Sequence, residues 1–523
     1  MLNFDSLSLK AFVAEYQPVF TGGRIYKIQQ PTKHELLLTI RAQGANHKLY
    51  ISVDPKYPHL SVLSREGEEL RSIEIPKTPP MFCMLLRKHM EGSKILDIKQ
   101  PEFERIFEIY FESYSELGER VRMVLSCEFM GKSSNIILYN YENNVILGCA
   151  HSVSSEKSRE RELAGGLPYI YPPKQNKIDL TKISEEDFRK LIKVTSMEEF
   201  GYISRALAAE LISACPVEDL YNIAKQTVNL ENLNPGISSD MKFYSLVTLD
   251  KTIEWQRIKS VNEMLDRYFG YQVFQDKFTR LKNNVLKILK KELNHNKKLL
   301  AEQETIVHSQ EKQEKYKQMG DNALIDNPKE AQKYYKLYKK AKTAAKHGEE
   351  MMQKTIKEIQ YLESVEEAVN QAETMQDLRE IQQELEGNEP KKQAKDNFKP
   401  AEFTSSDGFT IIAGKNNKQN EYILKNSSPE DIWLHVQNIP GSHVIIKSSK
   451  DKEVPETTLH EAVYIAAYYS KGRQSSNVPV VYTRRKFVKK PANSKPGFVV
   501  YNNEKTLWVN PDQEKVMNLR KKG

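Results

Sequence analysis

Residues 319–331 read MGDNALIDNPKEA, and they sit in the middle of the longest stretch of uniform composition in the chain. From about Tyr271 to Glu386 glycine is scarce, Pro328 is the one proline, and Lys, Glu, Gln, Leu and Ala dominate. Apolar residues recur at three-four spacing. They are Val285, Ile288, Leu289, Leu293, Leu299 and Leu300, then Leu324, Tyr334, Leu337, Tyr338, Ala341 and Ala345, then Ile356, Ile359, Leu362 and Val369. That period belongs to a coiled coil. Inside the quoted stretch Gly320 can end one helix, while Asn327 can cap the next with Pro328 at its first position. The pattern predicts a long antiparallel two-helix coiled coil over 271–386. Arms of ~45–55 residues would reach roughly 65–80 Å at about 1.5 Å per residue.

Towards the N-terminus, residues 1–175 read as mixed and strand-rich. HELLLTIRAQ, HKLYISVD, RIFEIYFESY, RVRMVLSCEF and SNIILYNY are β-branched and aromatic, with turn residues between them. YIYPP (169–173) marks a domain exit, because consecutive prolines remove ladder donors. Residues 176–270 then turn helical. Ser184 is a candidate N-cap with Asp187 in the capping-box slot, and Gly201 separates two helical patterns in the layout of a helix-hairpin-helix domain.

Towards the C-terminus, residues 387–400 have the composition of a linker, and 401–523 read as a compact α/β domain. GFTIIAGKN, EYILKN, DIWLHV, SHVIIKS, VPVVYTRR, GFVVYNN and KTLWVN predict strands, and TLHEAVYIAAYYSKGRQS predicts a helix. The whole is a multidomain α+β protein. A two-helix seam buries only a stripe, which accounts for an apolar fraction of 39% in a chain that is 28% charged.

Several classes fall away. No run of about 18 apolar residues is present to span a membrane. The start, MLNFDSLSLKAFVAEY, lacks a basic n-region and an apolar h-region, so a cytoplasmic protein is expected. Cys83, Cys127, Cys149 and Cys215 are widely spaced with no CxxC, which predicts reduced, buried structural thiols. There is no phosphate-binding loop, dinucleotide fingerprint, HExxH or GxSxG. His435 and His443 flank a turn and read as structural, so neither metal nor cofactor is expected.

The sequence offers surfaces instead. Of the formal net charge of +8, residues 401–523 carry +7, from 19 Lys+Arg against 12 Asp+Glu. Arg484, Arg485, Lys486, Lys489, Lys490 and Lys495 form a run with no acid between them, and Tyr482, Phe487 and Phe498 interleave with it. Cations neutralise phosphates and release counterions, and aromatic rings stack on unpaired bases. A nucleic-acid partner is expected there.

DIWLHVQNIPGSHVII (431–446), with SSDGFTIIAGKNNKQNEYI before it and AAYYSKGRQSSNVPVVYTRRKFVKKPANSKPGFVVYNNEKTLWV after it, resembles the NFACT-R domain. PPMFCMLLRKHMEGSKI (79–95) and CEFMGKSSNIIL (127–138) resemble NFACT-N. The order NFACT-N, helix-hairpin-helix, coiled coil, NFACT-R matches the NFACT family over essentially the full chain. The resemblance implies a ribosome-associated quality-control factor. Such proteins bind large ribosomal subunits obstructed by peptidyl-tRNA. They recruit charged tRNA, alanyl-tRNA in bacteria, for mRNA-independent C-terminal tailing that marks the stalled chain for degradation. The ribosome makes the peptide bond, so no catalytic residue is implied. A small S4-like RNA-binding protein is the implied helper.

The resemblance also implies site residues. The family's Asp-Arg pair for tRNA falls on Glu104 and Arg105, with Glu in place of Asp. A second tRNA element falls on Glu128, Phe129 and Met130, where plain core packing is the competing reading for Phe129. In NFACT-R the matching residues are Trp433, His435, Pro440, Gly441 and His443, with Pro440-Gly441 as a tight turn whose glycine is free to take positive φ. Arg484, Arg485, Lys486, Lys489 and Lys490 would meet RNA phosphate, and the tip at Met319–Pro328 would contact the ribosome or a partner. Two alternatives compete. An older family name implies a fibronectin-binding adhesin, which requires export. The N-terminal and helical parts also resemble formamidopyrimidine-DNA glycosylase, but Leu2 and Asn3 stand where that enzyme has its catalytic proline and glutamate.

Overall fold

The computed structural model describes residues 4–114, 118–156, 160–307, 310–386, 399–448, 453–492 and 494–520. The expected linker at 387–400 therefore lies almost wholly outside the described residues. Two compact units divide the chain, Met1–Lys277 and Phe278–Gly523.

In the first unit, helix α1 (Ser6–Phe20) precedes strands β1 (Arg24–Gln29), β2 (Glu35–Ala42), β3 (Ala45–Ser52) and β4 (His59–Val62). Helices α2 (Arg65–Arg71) and α3 (Met81–Met90) lead to β5 (Lys94–Lys99), β6 (Ile106–Tyr114), β7 (Arg120–Glu128), β8 (Asn135–Asn140) and β9 (Ile146–Cys149). The nine strands form one sheet in the order β4-β3-β2-β1-β5-β6-β7-β8-β9, every neighbouring pair antiparallel. The strands foreseen from β-branched runs are β2, β3, β6, β7 and β8. One face is closed by α1 and α3 over a core that includes Phe4, Phe12, Phe107 and Phe111. Asp5 caps α1 by accepting from Ser8 N at 2.8 Å.

Helices α4 (Glu185–Leu191), α5 (Arg205–Ala214) and α6 (Leu220–Val228) follow. Ser184 caps α4 as expected, accepting from Asp187 N and donating to Asp187 Oδ2. Gly201 lies against Phe103, where a Cβ would stand 2.3 Å from the ring. A small sheet of β10 (Gly236–Ser238), β11 (Tyr244–Ser245) and β12 (Trp255–Arg257) was not foreseen, because strands of two or three residues carry no readable period.

Helix α7 (Val261–Val307) starts on this unit, and a buried polar clamp fixes its first turns. Asn262 exchanges two hydrogen bonds with the Val62 backbone, at 2.7 and 3.0 Å. One turn on, Asp266 receives Arg71 at 2.7 Å and Ser64 through both N and Oγ. Both members of the ion pair are fully buried. Gly67 leaves the space they need, since a Cβ there would fall 2.2 Å from the Asp266 carboxylate.

In the second unit α7 continues, followed by α8 (Gln310–Asp326), α9 (Pro328–Gln371) and α10 (Met375–Leu385). Asn327 caps α9, with Pro328 at the first turn, as expected. Gly320 does not end a helix. It lies inside α8, where a Cβ would come within 3.2 Å of the Tyr335 ring, and Tyr335 Oη donates to Asp321 at 2.5 Å. The glycine serves close approach of α8 and α9. Val285, Leu289 and Leu293 pack with Leu362, Val365 and Val369 along the seam, whereas Ile288 and Leu324 face solvent.

The C-terminal sheet runs β13 (Ala401–Thr404), β14 (Thr410–Ala413), β16 (Val444–Ile446), β15 (Ile432–Val436), β17 (Val478–Arg484), β20 (Lys505–Val509), again antiparallel throughout. Helices α12 (Glu456–Tyr468) and α13 (Gln513–Leu519) cover one face. Strands β18 (Val488–Lys489) and β19 (Val500–Tyr501) form a hairpin over part of the other. EYILKN, expected as a strand, belongs to helix α11 (Asn417–Lys425). Asn416 caps that helix, and its buried side includes amides, Asn417, Gln419 and Asn420, as well as Ile423 and Leu424. A helical face built of amides has no apolar period to read.

Those amides meet acids at the base of the arm. Glu380 accepts from Asn416 and Gln419, and Glu384 accepts from Tyr361 and Asn417, at 2.8–3.2 Å. Burial pushes the Glu384 carboxyl up, against the hydrogen bonds that favour its charge. A raised folded-state pKa means the charged form is a cost at neutral pH that disappears below the unfolded pKa. Glu384→Gln should therefore raise the denaturation midpoint at pH 7, and the advantage over wild type should close as the pH falls towards ~4. Urea titrations at the two pH values check the sign.

All four cysteines are free thiols, as expected, though only Cys83 and Cys127 are buried, with Cys149 and Cys215 half-buried.

Candidate functional site

Glu104 and Arg105 stand at the entry to β6, after a turn closed by Glu104 N donating to Pro101 O. Gln100 Nε2 braces the turn by donating to Ser6 O and Glu104 O. The Glu104 carboxylate accepts from Gln175 N at 3.0 Å. Arg105 lines a cleft of about 210 Å³ together with Asp5, Gln175, Lys177, Ser204 and Arg205. Its guanidinium has no carboxylate partner among the described residues. Arg205 is highly exposed and makes only a 4.0 Å contact with Glu198, while Lys177 donates to Glu198 O. Three cations and one carboxylate thus converge beside the start of α5. A half-buried guanidinium with free donors can hold a phosphate or fork onto a base edge. Lys177 and Arg205 carry no local signal in the sequence, because only folding brings them to Arg105.

Glu128 ends β7, opposite Ile106 in the register, and Phe129 N donates to Arg105 O at 2.8 Å. The Glu128 carboxylate is buried. Both its oxygens are held by Arg161, and Tyr169 Oη donates to one of them at 2.9 Å. For Arg161 burial works against the charge, but the Glu128 carboxylate prevails and raises its pKa. Beside this pair, Glu108 is buried with three tyrosine hydroxyls donating to it, Tyr110 at 2.6 Å, Tyr139 at 3.2 Å and Tyr171 at 2.7 Å. Tyr169 and Tyr171 are thereby pinned to the sheet just ahead of Gln175 and Lys177. Phe129 is core, edge-on to Phe4 with centroids 5.1 Å apart. Met130 is half-buried and its N donates to Ser134 Oγ at 2.8 Å.

In the C-terminal domain, Trp433 is fully buried, parallel to His435 and edge-on to His443. His435 Nε2 lies 3.2 Å from Gly441 O, and His443 N donates to Asn420. The turn between them differs from expectation. Positive φ occurs at Asn438, 59°, and not at Gly441. Gly441 instead bridges to Ser470, whose Cβ would be 3.0 Å from an added Cβ. Close backbone approach is what requires glycine there.

The basic run is exposed, but acids from elsewhere meet it. Glu430 takes Arg484 at 2.6 Å and Lys486 at 3.3 Å, and Glu421 takes Lys490 at 2.8 Å. Burial works against the Glu421 charge, but Lys425 and Lys490 hold its carboxyl below the usual range, and Lys486 with Arg484 does the same for Glu430. Arg485 donates to the Leu424 and Val488 carbonyls, and Lys495 pairs with Glu358. Lys489 is exposed with no carboxylate partner among the described residues. Such solvent-exposed pairs contribute little to stability, so phosphate can displace them.

Residues 5–326 and 324–402 match the model described as NFACT N-terminal and middle domains. The chain belongs to the NFACT family. Residues 399–503 match the NFACT protein RNA binding domain, NFACT-R. The Rqc2 homolog RqcH of Bacillus subtilis (strain 168) is 33% identical over 579 residues, 99% of this chain and 100% of the relative. The Rqc2 homolog RqcH of Streptococcus suis (strain 05ZYH33) is 30% identical over 566 residues, again 99% and 100%. A solved structure of the C-terminal part of the fibronectin/fibrinogen-binding protein from Streptococcus suis is 34% identical, covers 47% of this NFACT chain and 100% of its own, and superposes with a TM-score of 0.42.

Proposed function

We propose that this NFACT protein is a ribosome-associated quality-control factor. In this reading it binds obstructed large ribosomal subunits carrying peptidyl-tRNA and recruits charged tRNA, alanyl-tRNA, for C-terminal tailing. The observation that carries the reading is the full-length match to RqcH proteins. Its geometric counterpart is Arg105, which lines a cationic cleft and has no carboxylate partner among the described residues. The protein supplies recognition and the ribosome supplies the chemistry, in the cytoplasm, with a small S4-like RNA-binding protein as helper.

The roles divide by domain: NFACT-N over 1–175, helix-hairpin-helix over 176–270, coiled-coil arm over 271–386, linker over 387–400 and NFACT-R over 401–523. Arg105 contacts tRNA, with Lys177 and Arg205 beside it. Glu104 holds the cleft wall through Gln175 N. Glu128, saturated by Arg161 and Tyr169, acts through the packing of β7 against Arg105, and Met130 lies at the same strand end. Trp433 and His435 lie on β15, and Pro440, Gly441 and His443 form its connection to β16, so these residues serve the NFACT-R fold. Arg484, Arg485, Lys486, Lys489 and Lys490 face rRNA phosphate, and the tip at Met319–Pro328 contacts the subunit or a partner.

Replacing Lys486, Lys489 and Lys490 together with Glu should weaken large-subunit binding by at least tenfold and flatten its salt dependence. Sedimentation of the variant with purified large subunits at two ionic strengths tests this. Unchanged pelleting would remove the basic run from the interface.

A further inference from the structure

The NFACT-R sheet has two unequal faces. Leu507 and Val509 of β20 point to the core under α12, so Thr506 and Trp508 point to the other side. On that side the register sets His435 beside Val481 and Val481 beside Thr506, with Pro479 beside Trp508 in the next row. The β18–β19 hairpin closes the row at Trp433, where Tyr501 meets the indole at 5.1 Å. It leaves Trp508 60% exposed, Thr506 exposed, and Pro479 and His435 half-buried. β20 is the last strand of the sheet.

A bare tryptophan on an edge strand invites unwanted pairing. The other two tryptophans are sheltered, Trp433 fully and Trp255 partly. The domain carries +7 of the chain's +8, the charge balance that suits a polyanionic RNA. The match to the RNA-binding domain ends at residue 503, before β20 begins. We propose that this open end of the sheet, centred on Trp508, is a stacking platform for an unpaired nucleobase of single-stranded RNA. Every base offers a π-face to an indole, and Pro479 extends the flat apolar floor beside Trp508. The site rests on the RNA-binding reading of NFACT-R and adds to it a preference for unpaired over paired RNA.

The test uses the full chain, an oligouridylate of about 15 nucleotides and an RNA duplex of the same length. Stacking is worth about five- to a hundredfold in affinity per base. Trp508→Ala should weaken oligouridylate binding at least fivefold, with an unchanged salt slope and unchanged duplex binding. Trp508→Phe should keep most of the affinity, and oligouridylate should quench tryptophan fluorescence in wild type more than in Trp508→Phe. Equal oligouridylate affinity in wild type and Trp508→Ala, or an equal loss on duplex, overturns the platform while leaving RNA binding intact. Wild type binding neither RNA would overturn the RNA-binding reading itself and the platform with it.

Discussion

Asp266→Ala should destabilise the N-terminal unit by about 3–5 kcal/mol, the usual result of stranding one member of a buried ion pair. Arg71 is fully buried, and its Nη1 depends on Asp266 Oδ1 and Gly67 O. Its other hydrogen-bond partners, His59 and Ser61, stand at 3.3 Å and offer no negative charge, with burial and then Arg71 holding the His59 pKa well below the usual histidine value, and Tyr50 meets the guanidinium only through its ring face at 5.0 Å. Removing the carboxylate also frees Ser64, which caps α2 and donates twice to Asp266. Of the buried polar clamp on the first turns of α7, only the Asn262 hydrogen bonds with Val62 would then remain. Urea unfolding followed by far-UV circular dichroism should show the transition of this unit moving to lower denaturant, with the second unit unmoved. A shift under 1 kcal/mol would mean that Arg71 finds water or another acceptor.

Arg105→Ala should abolish recovery of tRNA with the tagged protein while leaving large-subunit binding unchanged. The half-buried guanidinium brings the cleft a fixed planar fork, whereas the Arg205 side chain is highly exposed and Lys177 is a point charge, and a bidentate base contact is worth ~1–3 kcal/mol of discrimination. Arg105→Lys should keep part of the non-specific affinity but lose tRNA selectivity. Glu104 is tied to Gln175 N, so Glu104→Gln should have a smaller effect than either change at Arg105. Recovery of the same tRNA by Arg105→Ala would dissociate the cleft from tRNA recognition.

Local chemistry decided what could be read in advance. Asn327-Pro328 declares the start of α9, and Ser184 with Asp187 declares α4, because caps are written within four residues. Long alternating strands such as β2 and β7 were equally plain. Contacts across the fold were not. Gly320 and Gly441 were read by their dihedral freedom, whereas both are used for close approach to a partner far along the chain, Tyr335 and Ser470. The basic run looked unopposed because Glu421 and Glu430 precede it by more than fifty residues. Glu128 looked available because nothing in its neighbourhood announces Arg161. Arg105 could be matched to a family motif, but its cleft depends on Lys177 and Arg205, which join it only in three dimensions.

The proposed function puts the protein on a large ribosomal subunit together with tRNA. Affinity purification of the tagged full chain, followed by sequencing of the RNA it carries, tests this most directly. Large-subunit rRNA should be recovered well in excess of small-subunit rRNA, with one tRNA species, that for alanine, strongly enriched over its share of total tRNA. Recovery of both subunit rRNAs in equal amounts with no tRNA enriched, or of no rRNA at all, would contradict it.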